Sequence, residues 1–387
     1  MELLYLLGQN KGGFPHYAAE LANATAAHAD VTVLKPSETT ADDAFSDAVR
    51  VVDAFEPLEL SLPDLYDYDF HLRDNLRAMW SYRNVRRIRR IDPDIVHDPT
   101  ALLPYVKLFV SRYGIDERYP MVVTRHEVPA KRFPLSRPPE LAENLVHAAL
   151  PDVELARTVV HTRSQKAALV RQSYESDEVE VIPHGTYELF RRYDYAERPI
   201  EEDTLLFFGN VIPSKGLDTL AEAVVLASED VPDVKLIVAG SGRIQDRTRR
   251  LIRNHGNRFE LHNYFVPNDV VGELFSRASV AVMPYRDENG TKGHSGALST
   301  ALSFGKPVVT SSIGDFPLLV EKAGCGLVVP PDRPRRLANA LVAVLENDGL
   351  RSELAKNSER QAEALSWERI AERHMDVYRS ILDGSDG

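Results

Sequence analysis

Polar and apolar positions along this chain follow two rhythms. Short apolar runs cover residues 2–7, 30–34, 49–52, 95–97, 121–124, 158–161 and 179–182, and each predicts a strand. Longer amphipathic runs between several of them predict helices over 14–28, 72–91, 102–111, 141–150 and 164–172. The second of these is long and charged, closed by Pro93. Short strands divided by helices predict a mostly parallel sheet covered on both faces.

The stretch "YELFRRYDYAERPIEED", residues 187–203, has no clean period and is expected to be a boundary. The βα rhythm then restarts. Strands are expected over 205–208, 234–239, 259–262, 280–283, 308–310 and 327–329, and helices over 217–228, 243–254, 269–276, 297–304 and 316–322. Terminal helices run from Pro334 to about Leu382. The expected fold is α/β, with a doubly wound domain over 1–190, a second over 200–365, and a closing segment 366–387. Two such domains would make a cleft lined by loops at the carboxyl ends of the strands, where ligands of open α/β sheets bind.

Composition narrows the function classes. The length of 387 residues exceeds what one core usually holds. Apolar residues at 43% and charged ones at 27% are ordinary. The net charge of −12 argues against nucleic acid as the main partner. A single cysteine, Cys325, excludes an intrachain disulfide and a thiolate metal cluster. The start "MELLYLLGQNKGG" reads as a first strand rather than a signal peptide. No apolar run is long enough to cross a membrane. The expected location is the cytoplasm, including the inner face of its membrane.

Five loops carry the candidate chemistry. In "GQNKGGFPHYAAEL", Gly12 and Gly13 lead from a strand into a helix start, suited either to a tight turn or to a close-lying ligand. In "VVTRHEVP", His126 stands just past a strand end, beside Glu127. It reads as a hydrogen-bonded loop histidine or as a group that orients substrate. His97, His161 and His184 share its end-of-strand position without implying a metal site. In "LLFFGNVIPSKGLDTLAEAV", Gly209 ends a strand and Lys215 precedes Gly216 at a helix mouth, where an ammonium suits a phosphate. In "LIVAGSGRI", Gly240 and Gly242 flank a small-residue turn before Arg243. In "ENGTKGHSGALSTALSFGKPVV", Ser295 is placed to cap a helix. Gly296 and Ala297 begin that helix, with Lys292 and His294 nearby to meet an anion. Three glycine-containing, anion-friendly turns in one domain point to a phosphate-bearing ligand.

At these motifs the chain resembles the family 4 glycosyltransferases with the GT-B arrangement. "NKGGFPHYAAELA" is similar to that family's amino-terminal glycine loop and "VVTRHE" to its strand end with a histidine. "VIPHGT", "FFGNVIPSKGLDTLAEA", "LIVAGSG" and "SGALSTALSFGKPVVTSS" resemble its later motifs in order and spacing. The resemblance implies a retaining, metal-independent hexosyltransferase with no cofactor. Its donor would be a nucleoside-diphosphate sugar. The acceptor would be a sugar, a lipid-linked carrier or a small molecule. It implies catalytic roles for His126 and Lys215. Gly12, Gly13, Gly209, Gly240, Gly242, Arg243, His294, Ser295, Gly296, Ala297 and Thr300 would contact the donor, and His16 and His97 would stand on the acceptor side. It also implies that the closing helix, with Trp367, Ile370 and Met375 on one face, packs back toward the first domain.

Two departures stand out. Many members carry a Glu-x7-Glu pair, but Lys292 and Thr300 occupy those places here. The usual arginine before the lysine motif is replaced by Asn210. A non-catalytic protein on the same fold, binding a nucleotide sugar or a partner, therefore stands as the alternative. An epimerase or phosphorylase is disfavoured. The "DPD" of Asp92 and Asp94 reads as a turn rather than a metal site. "RNVRRIRRI", residues 83–91, reads as a solvated face or as a contact for an anionic lipid or acidic acceptor.

Overall fold

A computed structural model describes residues 1–58, 72–100, 102–128, 152–196, 198–286, 292–293 and 295–385. The chain divides into two compact units, one of Met1–Pro183 with Trp367–Gly387 and one of His184–Ser366. The polar stretch expected at the boundary belongs to the second unit. It is anchored there by a short helical turn, Leu189–Arg191, whose Leu189 and Phe190 are buried.

The first unit holds a seven-stranded parallel sheet. Its strands are β1 (Glu2–Leu6), β2 (Asp30–Pro36), β3 (Val49–Phe55), β4 (Ile95–Asp98), β5 (Met121–Arg125), β7 (Arg157–Val160) and β8 (Val179–Val181). A two-residue segment, β6 (Glu127–Val128), lies outside that sheet. The order is β3-β2-β1-β4-β5-β7-β8. The second unit has β9 (Thr204–Phe208), β10 (Lys235–Ala239), β11 (Phe259–His262), β12 (Val280–Met283), β14 (Val308–Ser311) and β15 (Gly326–Val329), with β13 (Lys292–Gly293) outside the sheet. Its order is β11-β10-β9-β12-β14-β15, again parallel throughout. Both sheets are doubly wound and Rossmann-like. Each reverses its winding beside its first strand, at β1/β4 and at β9/β12. Ligands of such sheets sit outside the carboxyl ends of the strands at that reversal.

Residue choice explains the layers. Leu3, Leu4, Tyr5 and Leu6 are all buried, as a strand covered on both faces requires. The helix Phe14–Thr25 lays Ala18, Ala19 and Ala22 on the buried side, and Pro15 fits its first turn. The last helix, Trp367–Ser385, belongs to the first unit. Its Trp367 ring meets Tyr17 at 5.1 Å, and its Tyr378 hydroxyl lies 3.2 Å from that of Tyr5.

The predicted helix over 72–91 is not continuous. An α-helix Leu72–Ser81 gives way to a 3-10 stretch, Tyr82–Arg87, and then a last turn, Ile88–Ile91. The apolar residues Tyr82, Val85 and Ile88 recur every third position and are all buried. A 3-10 pitch lines up such a repeat on one side, whereas an α pitch would rotate it away. Asp92, in the left-handed region at φ 54°, ends the segment. The predicted helix over 316–322 is a single wide turn, Pro317–Glu321. The one expected over 141–150 lies outside the described residues.

Candidate functional site

In the second unit three loops meet at the β9/β12 reversal. Gly209, at φ +117°, turns the chain off β9 with open space on its Cβ side. Val211 N donates to Ser241 O at 2.7 Å, drawing the β9 and β10 loops together. That approach requires glycine behind it. A Cβ on Gly240 would lie 1.9 Å from Gly209 O, and one on Gly242 2.2 Å from Val211 O. Both glycines therefore support the loop from behind, a packing reason for residues expected on donor-contact grounds.

Lys215 is half-buried, and its ammonium rests 3.7 Å from the centroid of the Tyr285 ring. Among the described residues it makes no ion pair. Gly216 follows at φ +67°, where a Cβ would strike Pro284 O at 2.0 Å. Arg286 holds the same loop from the β12 side. Its backbone N donates to Ser214 O at 2.8 Å and its Nη1 to Pro213 O at 3.2 Å. Asp218 and Asp332 pair with its guanidinium, so its charge is already met. Sequence reasoning passed over Tyr285 and Arg286. The aromatic–cation pair directly after the strand "VAVM" was the available signal.

Ser295 stands at the N-cap position of the helix Gly296–Ser303, but its side chain caps no amide. Its hydroxyl lies 3.1 Å from Tyr285 Oη instead. This corrects the expected cap, because the tyrosine competes for the hydroxyl. The first-turn amides thus receive no side-chain cap, beside half-buried Gly296 and Ala297. Thr300, at the place of the second glutamate, is buried and donates its hydroxyl to Gly296 O at 2.9 Å. It is packed into its own helix rather than presented to a ligand. Arg243 is exposed and makes no ion pair among the described residues. His294 lies outside the described residues.

In the first unit the glycine loop follows β1. Gly12 has φ +80° with open space beside it, and its carbonyl accepts from Thr40 Oγ1 at 3.0 Å and from His16 Nδ1 at 3.2 Å. His16 is buried and braces this loop. Gly13 has an ordinary helical conformation at the head of Phe14–Thr25. Gly8 O accepts from Tyr82 Oη at 2.6 Å, tying the loop to the 3-10 segment.

His126 is buried, with edge-on contacts from Phe14 at 4.9 Å and Tyr17 at 4.5 Å. Its Nε2 donates to Pro99 O at 2.8 Å, so Nδ1 faces His161 Nε2 at 3.1 Å. Burial lowers its pKa to about 4, and the ring is neutral near pH 7. Both nitrogens are engaged, which suits a positioning group better than a proton carrier. His97 departs from its acceptor-side reading. It is 1% exposed and bonded to Tyr378 Oη at 2.6 Å and Thr124 Oγ1 at 2.8 Å, inside the core. Asp98, not singled out from sequence, ends β4 at the winding reversal. Its Oδ1 accepts from Thr100 N and Oγ1 at 2.7 and 2.8 Å. Its Oδ2 is buried without a hydrogen-bond partner among the described residues, and burial raises the pKa to about 6. Asp92 and Asp94 serve the turn. Asp92 accepts from Tyr119 and Arg118, and Asp94 from Glu2 N.

Two Rossmann-like sheets, each with loops gathered at its winding reversal, give the fold class, and comparison gives the family. The family model described as Glycosyltransferase Family 4 matches residues 11–187, and that described as Glycosyl transferases group 1 matches 202–347. The chain belongs to the family 4 glycosyltransferases of the GT-B fold. It is 28% identical over 253 residues to D-inositol 3-phosphate glycosyltransferase of Nocardioides sp., covering 59% of this chain and 54% of that protein. The chain spans about half the length of the first curated relatives it matches. Sucrose-phosphate synthase from Thermosynechococcus elongatus shares the fold at TM-score 0.73 and 19% identity, covering 99% of this chain and 100% of that one. HepE of Anabaena, solved in complex with UDP-glucose, does so at TM-score 0.70 and 16% identity, covering 98% and 100%.

Proposed function

We propose that this chain transfers a hexosyl group from a nucleoside-diphosphate sugar to a hydroxyl acceptor, with retention at the anomeric carbon, in glycan, polysaccharide or glycolipid synthesis. The observation that carries the reading is the meeting of Lys215, Tyr285 and the uncapped start of Gly296–Ser303 at the β9/β12 reversal. An ammonium that makes no ion pair among the described residues, and first-turn amides that Ser295 does not cap, suit a diphosphate. As the anomeric carbon–oxygen bond lengthens, charge gathers on the departing diphosphate. Lys215 and the amides of Gly296 and Ala297 then stabilise that charge more than they do the ground state. Gly209 leaves room for the ligand beside its backbone. In this scheme protein donors, rather than a divalent cation, meet the leaving group. Gly12 and Gly13 give the first unit a loop whose backbone a ligand can approach closely, and His126 braces the separate turn after β4 through Pro99.

Binding and turnover test this together. Full-length protein is titrated with UDP, GDP and their sugar conjugates, with and without chelator, and donor hydrolysis is followed. Saturable binding of one base, with turnover unchanged by chelator, is expected. Loss of turnover with chelator would refute metal independence. A second reading, a non-catalytic binder on the same fold, is favoured by Thr300. That residue is buried where a ribose-holding glutamate is expected. Binding without either transfer or hydrolysis would select it.

A further inference from the structure

The segment Leu72–Ile91 carries seven arginines against one acidic residue, Asp74, in a chain of net charge −12. The 3-10 pitch that buries Tyr82, Val85 and Ile88 stacks Arg83 and Arg86 in a second row that faces solvent. Two apolar side chains lead into that row from the preceding α-helix. Leu76 is 55% exposed and Trp80 59% exposed, one helical turn apart. Trp80 is not loose. Its ring meets Phe109 edge-on at 5.7 Å, and the Arg83 guanidinium lies 5.6 Å from its centroid. The neighbouring helix, Pro104–Arg112, adds Leu108, 40% exposed. Among the described residues, Glu56 pairs with Arg77 of this segment at 3.0 Å, and Asp152 with Lys107 of the neighbouring helix at 3.2 Å.

We propose that this strip is a docking face for an anionic lipid bilayer. Trp80 and Leu76 enter the headgroup region and Arg83 and Arg86 meet lipid phosphates. A tryptophan with an aliphatic neighbour, flanked by arginines, suits the interface plane, where ring and methyl groups leave water while the guanidinium groups stay hydrated. Nucleic acid would engage the arginines but leave the exposed Leu76 unexplained. The helix Asp246–Asn254 is also arginine-rich, but two of its arginines pair with Glu222 and Asp246. In an acidic molecule, a basic strip that also presents Trp80 and Leu76 orients the protein on the surface. The inference stands independently of the proposed transfer reaction.

The chain has two tryptophans, and the other, Trp367, is 3% exposed. Intrinsic fluorescence therefore reports on Trp80. Full-length protein is mixed with phosphatidylcholine vesicles, with and without phosphatidylglycerol, and both emission and co-sedimentation are measured at low and high salt. A blue shift and sedimentation with the anionic vesicles, reversed by salt, are expected. Arg83→Ala and Arg86→Ala should each lower partitioning about fivefold. Trp80→Ala should lower it as well, with an unchanged circular dichroism spectrum. No shift and no sedimentation at low salt would overturn the proposal. Equal binding to neutral vesicles, or full binding by the double arginine variant, would do the same.

Discussion

Replacing Tyr285 by leucine removes the ring beneath Lys215 while leaving an apolar side chain in a buried position. The ammonium lies 3.7 Å from the ring centroid, and the tyrosine is 8% exposed. A cation over a ring contributes ~0.5–1 kcal/mol when exposed and ~2 when desolvated. For a half-buried lysine, about 1 kcal/mol of positioning is at stake, or roughly fivefold in nucleoside-diphosphate affinity. Lys215→Ala removes the charge itself and should cost about 1.5–3 kcal/mol, the range of a hydrogen bond to a charged group. Isothermal titration with UDP and GDP supplies the numbers, with melting temperature as the control for folding. If the ring acts through the lysine, the double variant should bind no worse than Lys215→Ala alone. Tyr285→Phe keeps the ring, loses only the contact to Ser295, and should bind within about twofold of the parent protein. Additive losses in the double variant would refute the reasoning. So would a Tyr285→Phe variant as weak as Tyr285→Leu.

Backbone position should grade three glycine substitutions. Gly240→Ala and Gly216→Ala place a Cβ about 2 Å from a carbonyl oxygen and should destabilise strongly in denaturant titration. Gly12→Ala meets open space and should cost only the ~1–2 kcal/mol of a left-handed conformation. His374 is fully buried, with Nε2 unpartnered among the described residues and its pKa lowered by burial to about 4. Its contribution is complete above the unfolded value of about 6.5 and falls away as pH drops toward about 4. His374→Phe should flatten that acid limb by about one proton, measured as stability against pH. Asp98 runs the other way, because its raised pKa costs stability as pH climbs through about 6. Asp98→Asn should therefore raise the melting temperature at pH 7 and leave it nearly unchanged at pH 4. Lys215→Ala should weaken donor binding, while His126→Ala should lower transfer more than donor affinity, read as a split between kcat and KM.

The central strands were legible because each is a short, doubly buried apolar run, as in "LLYLL" and "LIVA", whereas the edge strand Phe259–His262 is only partly buried. Loops that break a strand with glycine were equally legible, and Lys215 is singled out by its place before Gly216. What escaped were choices between partners. Ser295 reads as a cap until Tyr285 is seen to take its hydroxyl. Thr300 reads as a ligand contact until its hydroxyl turns back to Gly296 O. Gly240 and Gly242 look like ligand-facing glycines, but a neighbouring backbone, distant in sequence, fills their Cβ side. The 72–91 segment looks like one helix because charge and apolar content are consistent with either pitch. Only its strict three-residue repeat distinguishes them.

The first unit is built from two separate stretches of chain, with all of the second unit inserted between Pro183 and Trp367. Synthesis therefore delivers its parts far apart in time. At 5–20 residues per second, roughly 10–40 s separate β8, the last strand of the first sheet, from the helix that completes its core. Until Trp367, His374 and Tyr378 emerge, Tyr17, His97 and the Tyr5 hydroxyl lack their final neighbours. The second unit, continuous in sequence, waits for nothing after Ser366. A released chain truncated at residue 366 would thus carry every residue of the second unit but an unfinished first one, with Tyr17 and His97 open to chaperones and proteases.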